Sequence, residues 1–411
     1  MALIVRKYGG TSVADCEKIE RVAAKALECQ RAGNQVVLVL SAMSGETNKL
    51  IGFAHKITDR PNLREMDTLM ATGEQVTVAL CAIAITKMGG KAKSFLGDQV
   101  PILTSDAHTK ARILDIPANR LRAAMDSGYI PVVAGFQGVT SGGDITTLGR
   151  GGSDTTAVAL AAVLKADVCE IYTDVDGVYT TDPNMCLRAQ KITRISYEEM
   201  LEMASLGAKV LEIRSVAFAM RYDVPVHVLS SFTHEPGTIV TKEDESMEER
   251  LISAVTYSKN EARITISKVP DRPGIAATIF KPITDANIVV DMIIQNTRAG
   301  DMTDMTFTIP RTDYPQAMEI VEKVAREIGA ERVTGSTDIA KVSIVGVGMR
   351  NHAGVASQMF DILSKHGINI LMISTSEIKI SCIIEEKYTE LAVRALHEGF
   401  GLDADVAPLK I

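Results

Sequence analysis

A glycine-rich run that leads into an apolar helical stretch is the part of this sequence best suited to chemistry. Residues 149–157 read Gly-Arg-Gly-Gly-Ser-Asp-Thr-Thr-Ala, and the helical pattern covers residues 155–164. Glycine lets backbone N–H groups approach an anion, and a helix N-terminus adds partial positive charge. Arg150 adds a forked donor for a carboxylate or phosphate, and Asp154 suits a cation beside it. The run predicts a site for a charged substrate and a phosphate; a capped tight turn is the structural alternative.

A second candidate anion site follows the first predicted strand. The sequence Lys7-Tyr8-Gly9-Gly10-Thr11-Ser12 closes that strand and precedes a helical pattern. Its glycines can expose N–H groups to phosphate oxygens, and a lysine at a strand end can reach them as a point charge. The alternative is an ordinary solvated lysine. No Gly-x4-Gly-Lys-Ser/Thr sequence occurs, so a P-loop kinase is not indicated.

The composition limits the classes of function. The 411 residues exceed one ordinary core, so we expect two or three domains. The 44 lysines and arginines against 51 acidic residues give a net charge of −7 without a basic block, which argues against a nucleic-acid partner. No cleavable leader is seen, and apolar runs such as residues 78–85 are too short to span a bilayer, so we expect a cytoplasmic protein without a membrane partner. The cysteines and histidines show no metal-ligand or disulfide spacing, so no metal held by the protein alone is expected.

The first 230 or so residues alternate strand-like and helical patterns. The strand candidates are nearly continuous in Val, Ile and Leu, as strands covered on both faces should be. We therefore predict an α/β sandwich with a mainly parallel sheet, whose ligands bind beyond the carboxyl ends of the strands. Gly9, Ser41 and Asp174 all follow candidate strands. The strand candidates are residues 3–6, 35–40, 130–134 and 168–172, and the clearest helix candidates are residues 16–30 and 66–88.

A polar segment, residues 241–250, predicts a linker after a first domain of residues 1–240. Beyond it the chain repeats itself, because one constant shift superposes Gly274 on Gly354 and Phe280 on Phe360. Each copy reads as a strand, a glycine-started helix, two strands and a helix, which are the first five elements of a ferredoxin-like pattern of the βαββαβ type. Such small open sheets tend to pair, so a purely structural dimerisation role is the alternative to ligand binding.

Several motifs together resemble the aspartate kinases of the amino-acid kinase family in order and spacing, and the C-terminal repeat resembles their paired ACT domains. The resemblance implies ATP- and Mg²⁺-dependent phosphorylation of the L-aspartate side-chain carboxylate to 4-phospho-L-aspartate, the first step of lysine, threonine and methionine biosynthesis. It also implies that a first ACT domain, residues 262–337, is inserted into a second one, residues 251–261 and 338–411. The motifs are residues 7–12, 41–44, 72–74, 149–157 and 172–183.

The same resemblance implies roles for single residues. Lys7 and Lys209 would flank the transferring phosphate and bind ATP, and Asp154 would orient them. Arg150 would clamp the substrate α-carboxylate and Glu74 its ammonium, while Mg²⁺ would arrive with ATP. No general base is needed, because an aspartate side chain is already ionised near neutral pH. Further implied ATP-binding residues are Tyr8, Gly9, Gly10, Ser41, Ser153, Thr173, Asp174, Tyr179, Thr180, Thr181 and Asp182, and further implied substrate-binding residues are Ser41, Thr47, Gly151, Gly152 and Ser153. For the segment around Asp176, a plain polar turn is the alternative.

The ACT resemblance implies feedback inhibition by lysine and threonine, and a homo-oligomer that forms through these domains. An internal start near Met247 would give a separate regulatory subunit. Glutamate 5-kinase, acetylglutamate kinase and uridylate kinase share the architecture, but the tandem repeat and Thr72-Gly73-Glu74 argue against them. A catalytically silent amino-acid sensor is the remaining alternative, against which the intact Lys7, Asp154 and Lys209 argue. The implied effector residues are Asp271, Gly274, Ala276, Asp291, Gln295, Asn296, Asn369 and Ile370.

Overall fold

The computed structural model describes residues 1–207, 210–244, 247, 250–297 and 302–403. The chain divides into two compact units. The first contains Met1–Tyr179 and Lys191–Glu249, and the second contains Thr180–Gln190 and Arg250–Ile411. Residues 180–190 therefore belong with the C-terminal part of the chain, for which the sequence carried no visible signal. The predicted domain boundaries otherwise stay predictions.

The first unit is built from helices and strands in alternation. Its helices are α1 (Cys16–Arg31), α2 (Glu46–Ile57), α3 (Leu63–Lys87), α4 (Asn119–Asp126), α5 (Gly152–Leu164), α6 (Tyr197–Ser205) and α7 (Ile213–Tyr222), with a 3-10 turn at Gly10–Val13. Its strands are β1 (Leu3–Tyr8), β2 (Gln35–Leu40), β3 (Ala92–Phe95), β4 (Leu103–Thr104), β5 (Ile113–Asp115), β6 (Ile130–Ala134), β7 (Gln137–Val139), β8 (Ile145–Thr147), β9 (Val168–Thr173), β10 (Val178–Tyr179), β11 (Lys191–Ile192), β12 (Arg194–Ser196), β13 (Val226–Ser230) and β14 (Thr238–Thr241).

An eight-stranded sheet in the order β12-β14-β13-β9-β1-β2-β6-β3 forms the centre of this unit. The pairs from β13 to β3 are parallel, and only the β13–β14 pair of this sheet is antiparallel within the described residues. A four-stranded sheet, β5-β4-β7-β8, and the small pair β10-β11 complete the unit. The predicted α/β class with a mainly parallel sheet is confirmed.

Helices cover both faces of the large sheet. The apolar sides of α1 and α3 pack with Ile4 and Tyr8 of β1 in one core cluster. On α1 this follows from sequence, because Asp15 caps the helix by accepting from the Lys18 N–H at 2.8 Å and one stripe is apolar. Helix α5 contacts β1, β2 and β9. Side chains alternate along a strand, so Lys7 lies on the face opposite Tyr8.

Helix α3 is long and apolar enough, by length and composition alone, to cross a membrane. Half of its most apolar stretch is buried inside the unit, and its buried residues include the acids Asp67 and Glu74. The helix therefore has the burial of a core helix. It starts three residues before the predicted helix, at Leu63, where Asn62 accepts from the Arg64 N–H at 2.9 Å.

The second unit contains one six-stranded antiparallel sheet, with helices on the two repeats. Its helices are α8 (Ile275–Asp285), α9 (Tyr314–Ile328), α10 (Val355–Lys365) and α11 (Thr389–Gly399), with 3-10 turns at Arg311–Asp313, Val347–Asn351 and Glu386–Tyr388. Its strands are β15 (Ala254–Pro270), β16 (Ile293–Thr297), β17 (Met302–Ile309), β18 (Arg332–Val345), β19 (Met372–Thr375) and β20 (Lys379–Glu385). The sheet order is β16-β17-β15-β18-β20-β19.

The long strands β15 and β18 each serve both repeats. The beginning of β15 pairs with the end of β18, from Ala254 opposite Val345 to Ser258 opposite Lys341. The later part of β15 pairs with β17 of the first repeat. Each repeat has its own hydrophobic core, and a third small cluster of Met292, Ile339, Met372 and Ile383 contains residues of both.

Candidate active site

A cavity of about 330 Å³ lies at the carboxyl ends of β1 and β2, beside the N-terminus of α5. This volume is at the lower end of the range of about 300–1,000 Å³ that is usual for small-molecule sites. Eleven of the predicted site residues line it: Lys7, Gly9, Gly10, Ser41, Thr47, Glu74, Arg150, Gly151, Gly152, Ser153 and Asp154. Ala42, Met43, Ser44 and Gly149 also line it; they lie in the predicted motifs but had no role assigned, whereas Gly45 and Phe136 were missed by the sequence analysis.

A nearly buried ion pair marks one side of the cavity. The Lys7 Nζ lies 2.5 Å from Oδ1 of Asp154, and only 11% and 13% of the two side chains are exposed. Strand β1 turns Lys7 toward α5, and Asp154 stands in the first turn of that helix. The pairing matters because an ammonium group withdrawn from water is costly unless a carboxylate compensates it. The result is a cation held in one place at the edge of a cavity.

The N-terminus of α5 supplies the second positive element. Gly151 caps the helix with φ +67°, a left-handed conformation that favours glycine, so the chain can turn sharply between Arg150 and the helix. Arg150 is exposed and lines the cavity. The first residues of α5 line the cavity as well. The helix dipole and the guanidinium together make this edge of the cavity attractive to an anion.

Glu74 supplies a buried carboxyl group on another wall of the cavity. It is 3% exposed, and its Oε1 accepts a hydrogen bond of 3.0 Å from the Ala42 N–H. Within the described residues its Oε2 has no hydrogen-bonding partner. Burial raises the pKa of Glu74 to about 7, and the backbone hydrogen bond opposes the rise. The close approach of α3 depends on Gly73, since a Cβ there would lie 2.7 Å from that of Ala42.

Glu212 and Arg214 were missed by sequence reasoning. A Cβ on Gly151 would lie 2.4 Å from the Glu212 side chain, so Glu212 packs directly under the turn that carries Arg150. Burial raises the pKa of Glu212, and so does the charge of Asp154, while Arg214 and Arg150 lower it. Arg214 donates to the carbonyl oxygens of Leu148 at 2.5 Å and Ala111 at 2.8 Å. The sequence signal that could have identified them is their position, three and five residues after Lys209, the predicted catalytic lysine.

The remaining predicted nucleotide-binding residues do not line this cavity. Tyr8 lies on the other face of the sheet, where its ring stacks on Tyr172 with centroids 4.5 Å apart. Thr173 is the last residue of β9, and the exposed Asp174 follows it. Tyr179 donates to Asp176 at 2.9 Å. Lys209 lies outside the described residues. The nucleotide contacts of these residues stay predictions.

Three predicted ATP-binding residues, Thr180, Thr181 and Asp182, belong to the second unit. The Thr180 Oγ1 is 2.8 Å from His397 Nε2, and it accepts from the Gln190 N–H at 2.9 Å. The Asp182 carboxylate accepts from the Tyr257 hydroxyl at 2.9 Å. Their polar groups therefore have partners inside that unit, apart from the buried Thr181 hydroxyl, for which the described residues offer none.

The predicted effector residues lie in the second unit. Gly274 caps α8 with φ +91°, with the exposed Asp271 and Ala276 beside it, and the exposed Gln295 and Asn296 lie on the edge strand β16. Asp291 forms an ion pair with the buried Lys341. The small cluster that joins the two repeats contains Met292 and Met372, with Leu371 packed against it. It thus brings the segment around Asp291 near the one that follows Asn369 and Ile370, while the effector pocket itself stays a prediction.

Comparison with known proteins was consistent along the whole chain. Residues 2–230 match the model of the amino acid kinase family, and residues 263–326 and 342–400 each match a model of the ACT domain. An aspartokinase of Pseudomonas aeruginosa is 59% identical over 406 residues, which cover 98% of either chain. An aspartokinase of Mycolicibacterium smegmatis is 49% identical over 410 residues, which cover 98% of this chain and 97% of the relative.

Solved structures agree with the sequence relatives. Escherichia coli aspartokinase III in complex with aspartate and ADP, described as the R-state, superposes with a TM-score of 0.79 at 27% identity and covers 97% of this chain and 99% of its own. The same enzyme in complex with lysine and aspartate, described as the T-state, gives a TM-score of 0.76 at 26% identity, with the same coverage.

Proposed function

Since this chain belongs to the aspartate kinases of the amino acid kinase family, we propose that its cavity holds L-aspartate between Arg150 and Glu74. The observation that carries this assignment is the set of charges in one cavity. Aspartate brings an ammonium and two carboxylates, and the cavity offers the Glu74 carboxylate, the Arg150 guanidinium and the Lys7 ammonium. The ammonium pairs with the free Oε2 of Glu74, and the α-carboxylate pairs with Arg150.

The side-chain carboxylate then faces Lys7 and the N-terminus of α5. Phosphoryl transfer needs two anions in line and their charge stabilised, with little covalent help from the protein. A carboxylate oxygen forms a bond to the γ-phosphorus of ATP, the bond from that phosphorus to the bridging oxygen breaks, and ADP leaves with the electron pair. No proton has to move, so the reaction needs no general base.

Lys7 is the group that stabilises the growing charge. Its ion pair with Asp154 fixes the ammonium before substrate arrives, and a preorganised charge costs no rearrangement during the reaction. We assign Lys209 to the same task, by resemblance alone. Mg²⁺ would enter with ATP and neutralise phosphate charge, and Asp154 is the cavity carboxylate that would contact it.

Regulation is the second part of the proposal. We propose that lysine and threonine, as end products of the pathway that begins with 4-phosphoaspartate, inhibit the enzyme by binding in the second unit. Two features support this: the two ACT matches, and the lysine complex of the Escherichia coli enzyme, which is described as a T-state. The coupling between two such sites is commonly about 1–3 kcal/mol.

The catalytic proposal is tested by measuring ADP release with L-aspartate, and by trapping the acyl phosphate with hydroxylamine as a hydroxamate. L-Glutamate, N-acetylglutamate and uridine monophosphate are the comparison acceptors. We expect ADP and hydroxamate in equal amounts with L-aspartate only. ADP release that is independent of aspartate, or a preference for another acceptor, would refute the assignment.

A further inference from the structure

A second buried acid on α3 lies outside the cavity. Asp67 is 0% exposed, whereas Glu74, about two helical turns further on, lines the cavity. Two positions seven residues apart share a face of a helix, so Asp67 lies on the same side of α3 as Glu74. Burying a carboxylate costs free energy unless hydrogen bonds satisfy its oxygens, so the partners of a buried acid indicate its role.

Both oxygens of Asp67 are fully used. The Thr147 hydroxyl donates to Oδ1 at 2.5 Å, and the Thr109 N–H donates to both oxygens, at 3.1 and 3.0 Å. His108 Nδ1 lies 2.8 Å from Oδ2, within hydrogen-bonding distance. One side chain therefore joins three separate parts of the first unit: α3, the loop at residues 105–112 and the end of β8.

The end of β8 is the part that leads to the cavity. Thr147 is the last residue of that strand, and Arg150 follows three positions later. The Thr147 carbonyl accepts from the Ala111 N–H at 3.0 Å, and Arg214 binds the next carbonyl, that of Leu148. A Cβ on Gly149 would lie 3.0 Å from the Thr109 carbonyl oxygen, so the loop also closes over Gly149. The backbone that leads to Arg150 is thus held by three contacts: with Asp67, with the loop at residues 105–112 and with Arg214.

We propose that Asp67 is a positioning residue for Arg150. It touches no substrate, and it acts by holding the end of β8 and the loop at residues 105–112 in the arrangement that points Arg150 at the α-carboxylate of aspartate. The proposal rests on the substrate role assigned to Arg150 above. Arg150 is exposed, so the groups that the guanidinium can reach depend on where the backbone places this residue. A misplacement of about 1 Å can cost up to about a hundredfold in rate, so such a brace has a measurable consequence.

The chain offers a matched pair of substitutions. Thr146 and Thr147 are neighbours in β8, both are 0% exposed, and each hydroxyl makes a hydrogen bond of 2.5 Å, Thr146 to the Thr104 hydroxyl and Thr147 to Asp67. Thr147→Val should raise the KM for aspartate about tenfold and leave the KM for ATP within about twofold. Thr146→Val should cost similar stability, read from the melting temperature, but change neither KM by more than about twofold. Thr147→Ser keeps the hydroxyl and should behave as wild type.

Asp67→Asn should reproduce the effect of Thr147→Val, and the latter decides the matter if the former does not fold. Equal effects of Thr147→Val and Thr146→Val on the KM for aspartate would overturn the proposal, because both would then report only a disturbed strand. So would a Thr147→Val enzyme with normal kinetics.

A double-mutant cycle with Arg150→Ala separates this proposal from the substrate role on which it rests. If Asp67 acts through Arg150, Thr147→Val should add less than about twofold to the KM for aspartate once Arg150 is absent. Independent, multiplicative effects would refute the positioning role of Asp67 alone. An Arg150→Ala enzyme with an unchanged KM for aspartate would refute the substrate role of Arg150, and the positioning role with it.

Discussion

The affinity for aspartate should depend on the protonation of Glu74. Burial raises the pKa of this carboxyl to about 7, so the neutral acid predominates below that pH. A neutral Glu74 offers the substrate ammonium no charge, and only the ionised fraction binds well. With a pKa of about 7, about ten in eleven molecules are ionised at pH 8 and about one in eleven at pH 6. The KM for aspartate should therefore be about tenfold higher at pH 6 than at pH 8.

The assay is the initial rate at saturating ATP, with the KM for aspartate determined in steps from pH 6 to pH 8. Glu74→Gln keeps the size of the side chain and removes the titration, so its KM should be high and nearly flat over this range. Because ATP and aspartate titrate identically with either enzyme, the difference between the two curves belongs to Glu74. A wild-type KM that does not change with pH, or a Glu74→Gln enzyme with the same slope, would refute the reasoning.

Three further predictions follow from the same contacts. Lys7→Ala should lower kcat about a hundredfold or more with far-UV circular dichroism unchanged, whereas Ala at the exposed Lys56 should have no effect; normal turnover would remove Lys7 from the site. The pKa of Glu74 is about 7 in the folded protein and 4.5 ordinarily, so the wild-type protein loses stability as the pH rises through this interval. Between pH 5 and pH 8 the melting temperature of Glu74→Gln should therefore rise relative to that of wild type. A difference between the two melting temperatures that stays constant would contradict the raised pKa. Lysine plus threonine should depress activity, and Gln295→Ala should relieve this inhibition without changing the turnover measured without effectors. The control Gln316→Ala, at an exposed position on α9, should leave the inhibition as it is in wild type. Full wild-type activity in millimolar lysine and threonine would oppose the effector proposal.

The sequence was most informative where a strand is buried on both faces. The patterns at residues 35–40 and 130–134 coincide with β2 and β6, because a nearly continuous apolar run that is followed by a serine or a glycine leaves little freedom in where a parallel strand ends. The cavity residues after β1 and β2 could be found for the same reason, since ligands of such sheets lie beyond the strand ends. Glycines near a strand end were a local signal.

The parts that escaped prediction are fixed by contacts distant in sequence. Helix α5 begins at Gly152, not at the predicted residue 155, because Gly151 in the left-handed conformation lets the chain enter the helix early. The placement of residues 180–190 in the second unit depends on partners such as Tyr257 and His397. Short strands such as β4 and β8 contain too few residues to show a period.

Asp67 illustrates a signal that was present but ambiguous. An acid on the apolar side of a helix is unusual, and Asp67 and Glu74 both occupy that side of α3. The sequence cannot say whether such an acid faces a ligand or another part of the protein. Only the structure shows that the partners of Asp67 are Thr109, His108 and Thr147.

In the proposed arrangement, helix α3 determines the positions of two substrate contacts. Glu74 of this helix would bind the ammonium group, and Asp67 would hold the end of β8, from which Arg150 would reach the α-carboxylate. A packed helix is stiff compared with a loop, so the binding sites for the α-ammonium and the α-carboxylate are both positioned by one rigid element. With the ammonium and the α-carboxylate held, the length of the substrate places its side-chain carboxylate in front of Lys7 and Asp154, whose ion pair joins β1 and α5. A substrate with one more methylene would keep both α-contacts and carry its carboxylate past Lys7, which gives a physical reason for a preference for aspartate over glutamate.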